Sequence, residues 1–334
     1  MAFVSKYFNF NPQTKSTNLM KRRNFVQGSV LAGASLLTTG VLKAATLTGC
    51  ADPGKNAAAV ATGDKPFNLN YGIHDGMFKS HAGDDFIDQI KFAYDKGFRA
   101  IEDNGMSGRP ADQQKKIGET LARLGMAMGV FVQPGLGNDS NMLATGKADQ
   151  VEKFIASCRE AVEVAKRVGS KLVTVVPGDF ARNLPIGVQT GNVIEAIKKG
   201  TAVLEPHGII MVLEPLSDNP DLFLRTPDQA YAICKAVGSP SCKILYDMYH
   251  VQRNQGNIIP TLDLVFDEIG YYQVGDNPGR KEPGTGEMNY KNIFKHIYSK
   301  GYKGVVGMEH GTAGAGKEGE LALIKAYREA DSFM

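Results

Sequence analysis

The 334 residues contain no tryptophan, no low-complexity tract and, beyond Lys21–Arg23 near the start, no run of three or more basic side chains. Without a basic stripe there is no electrostatic footprint for nucleic acid, and no such partner is expected. Cysteine is scarce: beyond Cys50 only Cys158, Cys234 and Cys242 remain. An odd count at irregular spacing argues against a disulfide framework, and the three read as small core residues. Six histidines in all, few at strand ends, argue against a nuclease that gathers several metal ions. The uncharged stretch from Gly28 to Leu42 is too short for a comfortable membrane span.

Charge is unevenly placed. The formal balance is +3, yet the first 49 residues hold six basic residues (Lys6, Lys15, Lys21, Arg22, Arg23, Lys43) and no acid. Setting them aside leaves 32 basic against 35 acidic residues, a balance of −3. In "MKRRNFVQGSVLAGASLLTTGVL" paired arginines precede a weakly apolar Gly/Ala/Ser-rich stretch. This resembles a twin-arginine export signal, with Met20 an alternative start. "LTGC" resembles a bacterial lipoprotein box that lipidates Cys50; plain cleavage after "LKAA" is the alternative, because Lys43 interrupts the pattern. The expected organisation is a signal over 1–49, a polar tether over 50–66 and one domain over 67–334. The expected location is periplasmic, free or lipid-anchored to a membrane.

From Phe67 onward, eight short apolar runs alternate with amphipathic stretches. The runs are "FNLNYGIH", "RAIEDN", "MAMGVFVQ", "KLVTVVPGD", "IIMVLEPL", "KILYDMYH", "GYYQVGD" and "GVVGMEH". Between them apolar residues recur at three- and four-residue steps, as in "ADQVEKFIASCREAVEVAKRVG" and "LDLVFDEIG", the spacing of amphipathic helices. Such alternation predicts parallel strands with helical crossovers. Eight units in this length fit a closed (β/α)8 TIM barrel. An open doubly wound sheet fits less well, since no glycine-rich phosphate loop follows the first strand.

In such a barrel, chemistry sits where strands end. The last four strands end on Glu214, Asp247, Gln273 and Glu309, spaced by 33, 26 and 36 residues. Three carboxylates on one face repel one another and resist desolvation; a divalent cation removes both costs. Oxygen donors without cysteine suit Mg2+ or Mn2+.

The segments "EPLSDNPDLFLRTPDQAYAICKAVGSPSCKILYDMYHVQRNQGN" and "YYQVGDNPGRKEPGTGEMNYKNIFKHIYSKGYKGVVGMEHG" resemble the hydroxypyruvate isomerase family of the xylose-isomerase-like barrels, which also include the ketose 3-epimerases. The resemblance implies that Glu214, Asp247, Gln273 and Glu309 hold the metal. It implies that Glu214 and Glu309 are the acid–base pair, and that His250 and Arg280 contact substrate oxygens. Glutamine at 273 is similar to the isomerase branch; the epimerases usually have histidine there. The chemistry this resemblance implies is proton transfer beside a carbonyl through an enediolate, which a cation bridging the two substrate oxygens would stabilise.

His74 and Glu102 end the first two strands and are expected near the pocket mouth as substrate contacts. His310, beside Glu309, should face the opposite way and be structural. "GTAGAGKEGE" reads as a flexible loop without the spacing of a phosphate-binding loop. The expectation is a metal-dependent isomerase of a small sugar or hydroxy-keto acid, free to form a homo-oligomer. A ketose 3-epimerase is the alternative within enzymes, and a non-catalytic carbohydrate-binding lipoprotein the alternative outside them.

Overall fold

The computed structural model describes residues 63–135 and 142–334. The export signal, Cys50 and the tether up to residue 62 lie outside the described residues. The barrel's contacts start slightly before the expected boundary, with Asp64 N–H donating to Asp95 C=O at 2.7 Å.

All eight expected strands are present. They are β1 (Asn70–Ile73), β2 (Ala100–Ile101), β3 (Ala127–Met128), β4 (Leu172–Val175), β5 (Ile210–Leu213), β6 (Cys242–Asp247), β7 (Ile269–Gln273) and β8 (Val305–Gly307). They pair in parallel in the order β3-β2-β1-β8-β7-β6-β5-β4. The ladder's two ends meet where Val132, just beyond β3, bridges Thr174 of β4 in parallel. Parallel strands buried on both faces read as continuous apolar runs, which is why the sequence marks them clearly.

The crossovers are helical: α1 (Lys79–Ala82), α2 (Phe86–Asp95), α3 (Ala111–Leu124), α4 (Ala148–Val168), α5 (Ile186–Leu204), α6 (Pro227–Val237), α7 (Met248–Asn254), α8 (Ile258–Val265), α9 (Tyr290–Ser299) and α10 (Gly316–Ala330). Gly125, Gly169 and Gly238 end α3, α4 and α6 in the left-handed conformation, which glycine adopts without a Cβ penalty. Among the described residues no helix is long and apolar enough to cross a membrane.

Two local expectations are corrected. "LDLVFDEIG" is not one helix: α8 starts earlier, Phe266–Glu268 tightens to a 3-10 turn, and Ile269 already belongs to β7. "GTAGAGKEGE" is a loop only in its first half. Gly316 opens α10, and Glu320 is buried, accepting from Ser80 N–H at 2.6 Å and His81 N–H at 3.1 Å. That carboxylate ties α10 to α1, a tertiary bond that loop composition does not announce.

Inside the barrel Ala100, Val130, Val212, Leu245, Tyr271 and Val305 pack together. This apolar layer floors the strands' C-terminal face. Outside, Tyr71, Phe294, Tyr327 and Phe98 pack ring against ring between β1 and the outer helices.

Candidate active site

Asp247 is the last residue of β6 and does two jobs. Its Oδ1 accepts from Tyr249 N–H at 2.8 Å, capping α7, one of the donors a helix start leaves unpaired. Its Oδ2 faces the site, 2.8 Å from Arg280 Nη2 and 3.4 Å from His250 Nε2. The parallel register sets Asp247 beside Gln273 and Gln273 beside Gly307, two residues before Glu309. Glu214 follows β5 and is buried. Four oxygen-bearing side chains thus end four adjacent strands, in the order the sequence spacing anticipates.

Their electrostatics are demanding. Burial pushes Glu214 well above the usual carboxylate range, and Glu309 and Asp247 add to the rise. Burial also raises Glu309, to about 7; Arg280 opposes the rise and Asp247 adds to it. Asn104 Nδ2 donates to Glu309 Oε1 at 2.6 Å. A carboxyl near neutrality is matched to taking and returning protons.

Arg280 lies at the centre of this charge. Its Nη2 reaches both Asp247 Oδ2 and Glu309 Oε2 (2.6 Å), and its Nε donates to the Glu309 carbonyl at 3.0 Å. The guanidinium stacks over Tyr249, 4.7 Å from the ring centre. Burial lowers the Arg280 pKa, but Asp247, Glu309 and Glu214 outweigh burial and raise it. Asp276 organises the loop that carries it. That fully buried carboxylate accepts from Gly284, Gly286 and Met288 N–H at 2.8–3.1 Å. Arg280 itself sits at φ +49, a conformation costly for a residue with a Cβ.

His250, on α7, is buried to 1% exposure. Its Nδ1 faces Ser217 N–H at 3.2 Å and Ser217 Oγ at 2.8 Å. A backbone N–H can only donate, so Nδ1 is the acceptor and the proton of the neutral ring is assigned to Nε2. Burial lowers the His250 pKa, with Asp247 opposing, which favours that neutral ring. Nε2–H points among Glu214, Asp247 and Asp218. Glu214, Asp247 and His250 bring ligand atoms within 4.8 Å of one another, but the tautomer makes His250 a hydrogen-bond donor there.

Of the remaining candidates, His74 and Glu102 sit differently from expectation, while His310 faces away from the site as its alternation with Glu309 anticipates. His74 is not free for substrate: Nδ1 meets Asp75 C=O at 2.9 Å and Nε2 meets His310 C=O at 3.0 Å. Glu102 is not at the mouth. It is buried inside the barrel, with Oε2 accepting from Tyr271 OH at 3.0 Å and Gln273 Nε2 at 3.3 Å. His310 turns outward, its Nε2 2.7 Å from Tyr327 OH. Asn104, Ser217 and Asp276 carry no sequence signal beyond their place just after strands; tertiary contacts alone reveal them.

The donor set fits a hard divalent cation. Three carboxylates share one arginine, and Gln273 Oε1 is a buried oxygen with no hydrogen-bond partner. An orphaned buried acceptor is costly, and a cation would satisfy it.

Comparison with known proteins gives the same architecture. A family model described as xylose isomerase-like TIM barrel matches residues 90–329. Hydroxypyruvate isomerase of Escherichia coli is 33% identical over 161 residues, 48% of this chain and 62% of that enzyme's length. A 2-oxo-tetronate isomerase of Cupriavidus necator is 27% identical over 257 residues, covering 75% of this chain and 95% of the relative. The crystal structure of a Brucella melitensis protein described as AP endonuclease, family 2, superimposes with a TM-score of 0.68 at 23% identity, covering 78% of this chain and 99% of that one; at that identity the likeness speaks for the fold.

Proposed function

The chain belongs to the xylose isomerase-like TIM barrel family, and on that premise we propose that it is a metal-dependent isomerase of a small hydroxy-keto acid or sugar. One observation carries the reading. Glu214, Asp247, Gln273 and Glu309 converge on the C-terminal ends of four adjacent strands, with Gln273 Oε1 left unpartnered. Both isomerase relatives are named for hydroxy-keto acids, so that class is the first to test; a ketose is the second.

Those four residues would hold the cation, Mg2+ or Mn2+ by their hardness. When bound, it supplies Lewis-acid polarisation of the substrate's carbonyl and adjacent hydroxyl. The protein's own residues do the rest. A carboxylate oxygen of Glu309 or Glu214 takes the proton from the carbon beside the carbonyl. The partner glutamate, or the same one, delivers a proton to the neighbouring carbon. His250 Nε2–H donates to a substrate oxygen, and Arg280 offers its fork of donors to another. Return of the proton to the original carbon from the opposite face would give epimerisation instead.

The proposal extends to location: residues 1–49 would direct export by the twin-arginine route, with Cys50 either lipidated or, after plain cleavage following Ala45, kept unmodified in the mature chain. The test of function is product identity. Purified protein with Mn2+ is offered hydroxypyruvate, a four-carbon hydroxy-keto acid and a panel of ketoses, and NMR identifies what forms. An aldose–ketose isomer of one compound supports the reading. A C3 epimer would reassign the enzyme to the alternative. No product, with ligand-induced thermal stabilisation, would favour a binding protein.

A further inference from the structure

Glu102 is out of place beside an apolar layer. Ala100, two residues before it, belongs to the apolar interior layer of Val130, Val212, Leu245, Tyr271 and Val305, and the carboxyl meets its polar partners, Tyr271 and Gln273, above that layer. A carboxyl buried there is tolerated only when it is hydrogen-bonded.

The backbone is shaped to admit it. A Cβ on Gly307 would lie 1.8 Å from Glu102 Oε2 and 2.8 Å from Tyr271 OH. A Cβ on Gly129 would lie 2.4 Å from the same hydroxyl. The end of β8 and the residue just after β3 therefore carry glycine where the carboxyl and its phenol partner need space.

What the carboxyl touches explains the space. Tyr271 and Gln273 are two apart on β7 and face the same side. Both donate to Glu102 Oε2, the phenol at 3.0 Å and the amide Nε2 at 3.3 Å. The flipped amide would set one acceptor oxygen against another. With Nε2 committed to Glu102, Oε1 turns away, buried and unpartnered.

We propose that Glu102, seated by Tyr271, is a positioning residue that locks the Gln273 amide with its carbonyl oxygen presented to the cation. This rests on the reading of Gln273 as a ligand, and it replaces the expected contact between Glu102 and substrate. Partners that orient a ligand in this way typically control cation affinity by about 10- to 100-fold.

The test is Mn2+ affinity of the full chain, by calorimetry and by the free-ion EPR signal. In Glu102→Gln the new amide can donate to Gln273 Oε1 and turn it from the cation, so the Mn2+ Kd should rise by about 10- to 100-fold. The exchange E102Q/Q273E restores the donor–acceptor pair and leaves a carboxylate, either oxygen of which can face the cation. Its Kd should return to within about threefold of wild type or fall below it. An unchanged Kd in Glu102→Gln, with only a lower Tm, would make Glu102 structural and overturn the proposal; so would failure of the exchange to rescue. If Glu102→Gln does not fold, Tyr271→Phe removes one hydroxyl from the same arrangement. It should weaken Mn2+ by a few-fold, and an unchanged Kd overturns the proposal. Gln273→Ala and Asp247→Asn test the ligand reading separately. If both bind Mn2+ like wild type, that reading fails; if both lose Mn2+ while Glu102→Gln does not, the positioning role alone fails.

Discussion

Arg280 donates to Asp247 across 2.8 Å, and the same nitrogen spans to Glu309 at 2.6 Å. A monovalent side-chain cation thus holds two oxygens that a divalent ion would need. The two must compete, because one lone-pair direction cannot serve both at full strength.

Arg280→Met should therefore tighten Mn2+ binding by roughly threefold to tenfold, a gain of about 1 kcal/mol, while lowering Tm in EDTA. Substrate KM should rise at least as much, since the guanidinium fork is lost. Calorimetry with Mn2+ alone separates the effects; weaker Mn2+ binding would show that Arg280 assists the cation.

His250→Leu distinguishes donor from ligand. Loss of one buried hydrogen bond to substrate is worth about 1–3 kcal/mol, so kcat/KM should drop on the order of 10- to 100-fold. Mn2+ affinity should stay within about twofold. A collapse of Mn2+ binding would instead place Nε2 in the coordination sphere.

Gly118 lies within α3, where alanine ordinarily helps a helix by roughly 0.5–1 kcal/mol. Here an added Cβ would stand 2.2 Å from the Arg167 carbonyl of α4. Overpacking of backbone on backbone should reverse the sign and destabilise by about 1–3 kcal/mol. Urea unfolding of Gly118→Ala reads it directly, and a stabilised variant would mean the two helices can part.

Cys158 is buried on α4, and burial pushes its thiol up to about 12. A group raised in the folded state contributes fully below its unfolded value, near 9, and loses that contribution as pH rises toward 12. Native protein should resist iodoacetamide at Cys158 at pH 8 and lose stability above pH 9 more steeply than Cys158→Ala does. Rapid native alkylation there would show an exposed thiolate.

The strands and their terminal donors were legible in the sequence because each is a local pattern: an apolar run ending on Glu214, Asp247, Gln273 or Glu309. The depth of Glu102 was not, since it depends on glycines in β8 and beyond β3 that leave room inside the barrel. Nor was the seat of Arg280, which depends on Asp276 gathering backbone donors from 8 to 12 residues onward. The tautomer of His250 follows from Ser217, 33 residues away in sequence. Periodicity records which face a side chain takes; it does not record which partner meets it there.

The most direct test of the account is exchange of the substrate's carbon-bound proton. The protein is incubated in D2O with Mn2+ or Mg2+ and the compound identified from the panel, and proton NMR follows the signal beside the carbonyl. The account predicts cation-dependent loss of that signal, abolished by EDTA and reduced by at least about 10³-fold in Glu309→Gln, a loss of some 4 kcal/mol of barrier lowering. Exchange that proceeds unchanged in EDTA or in Glu309→Gln would contradict it.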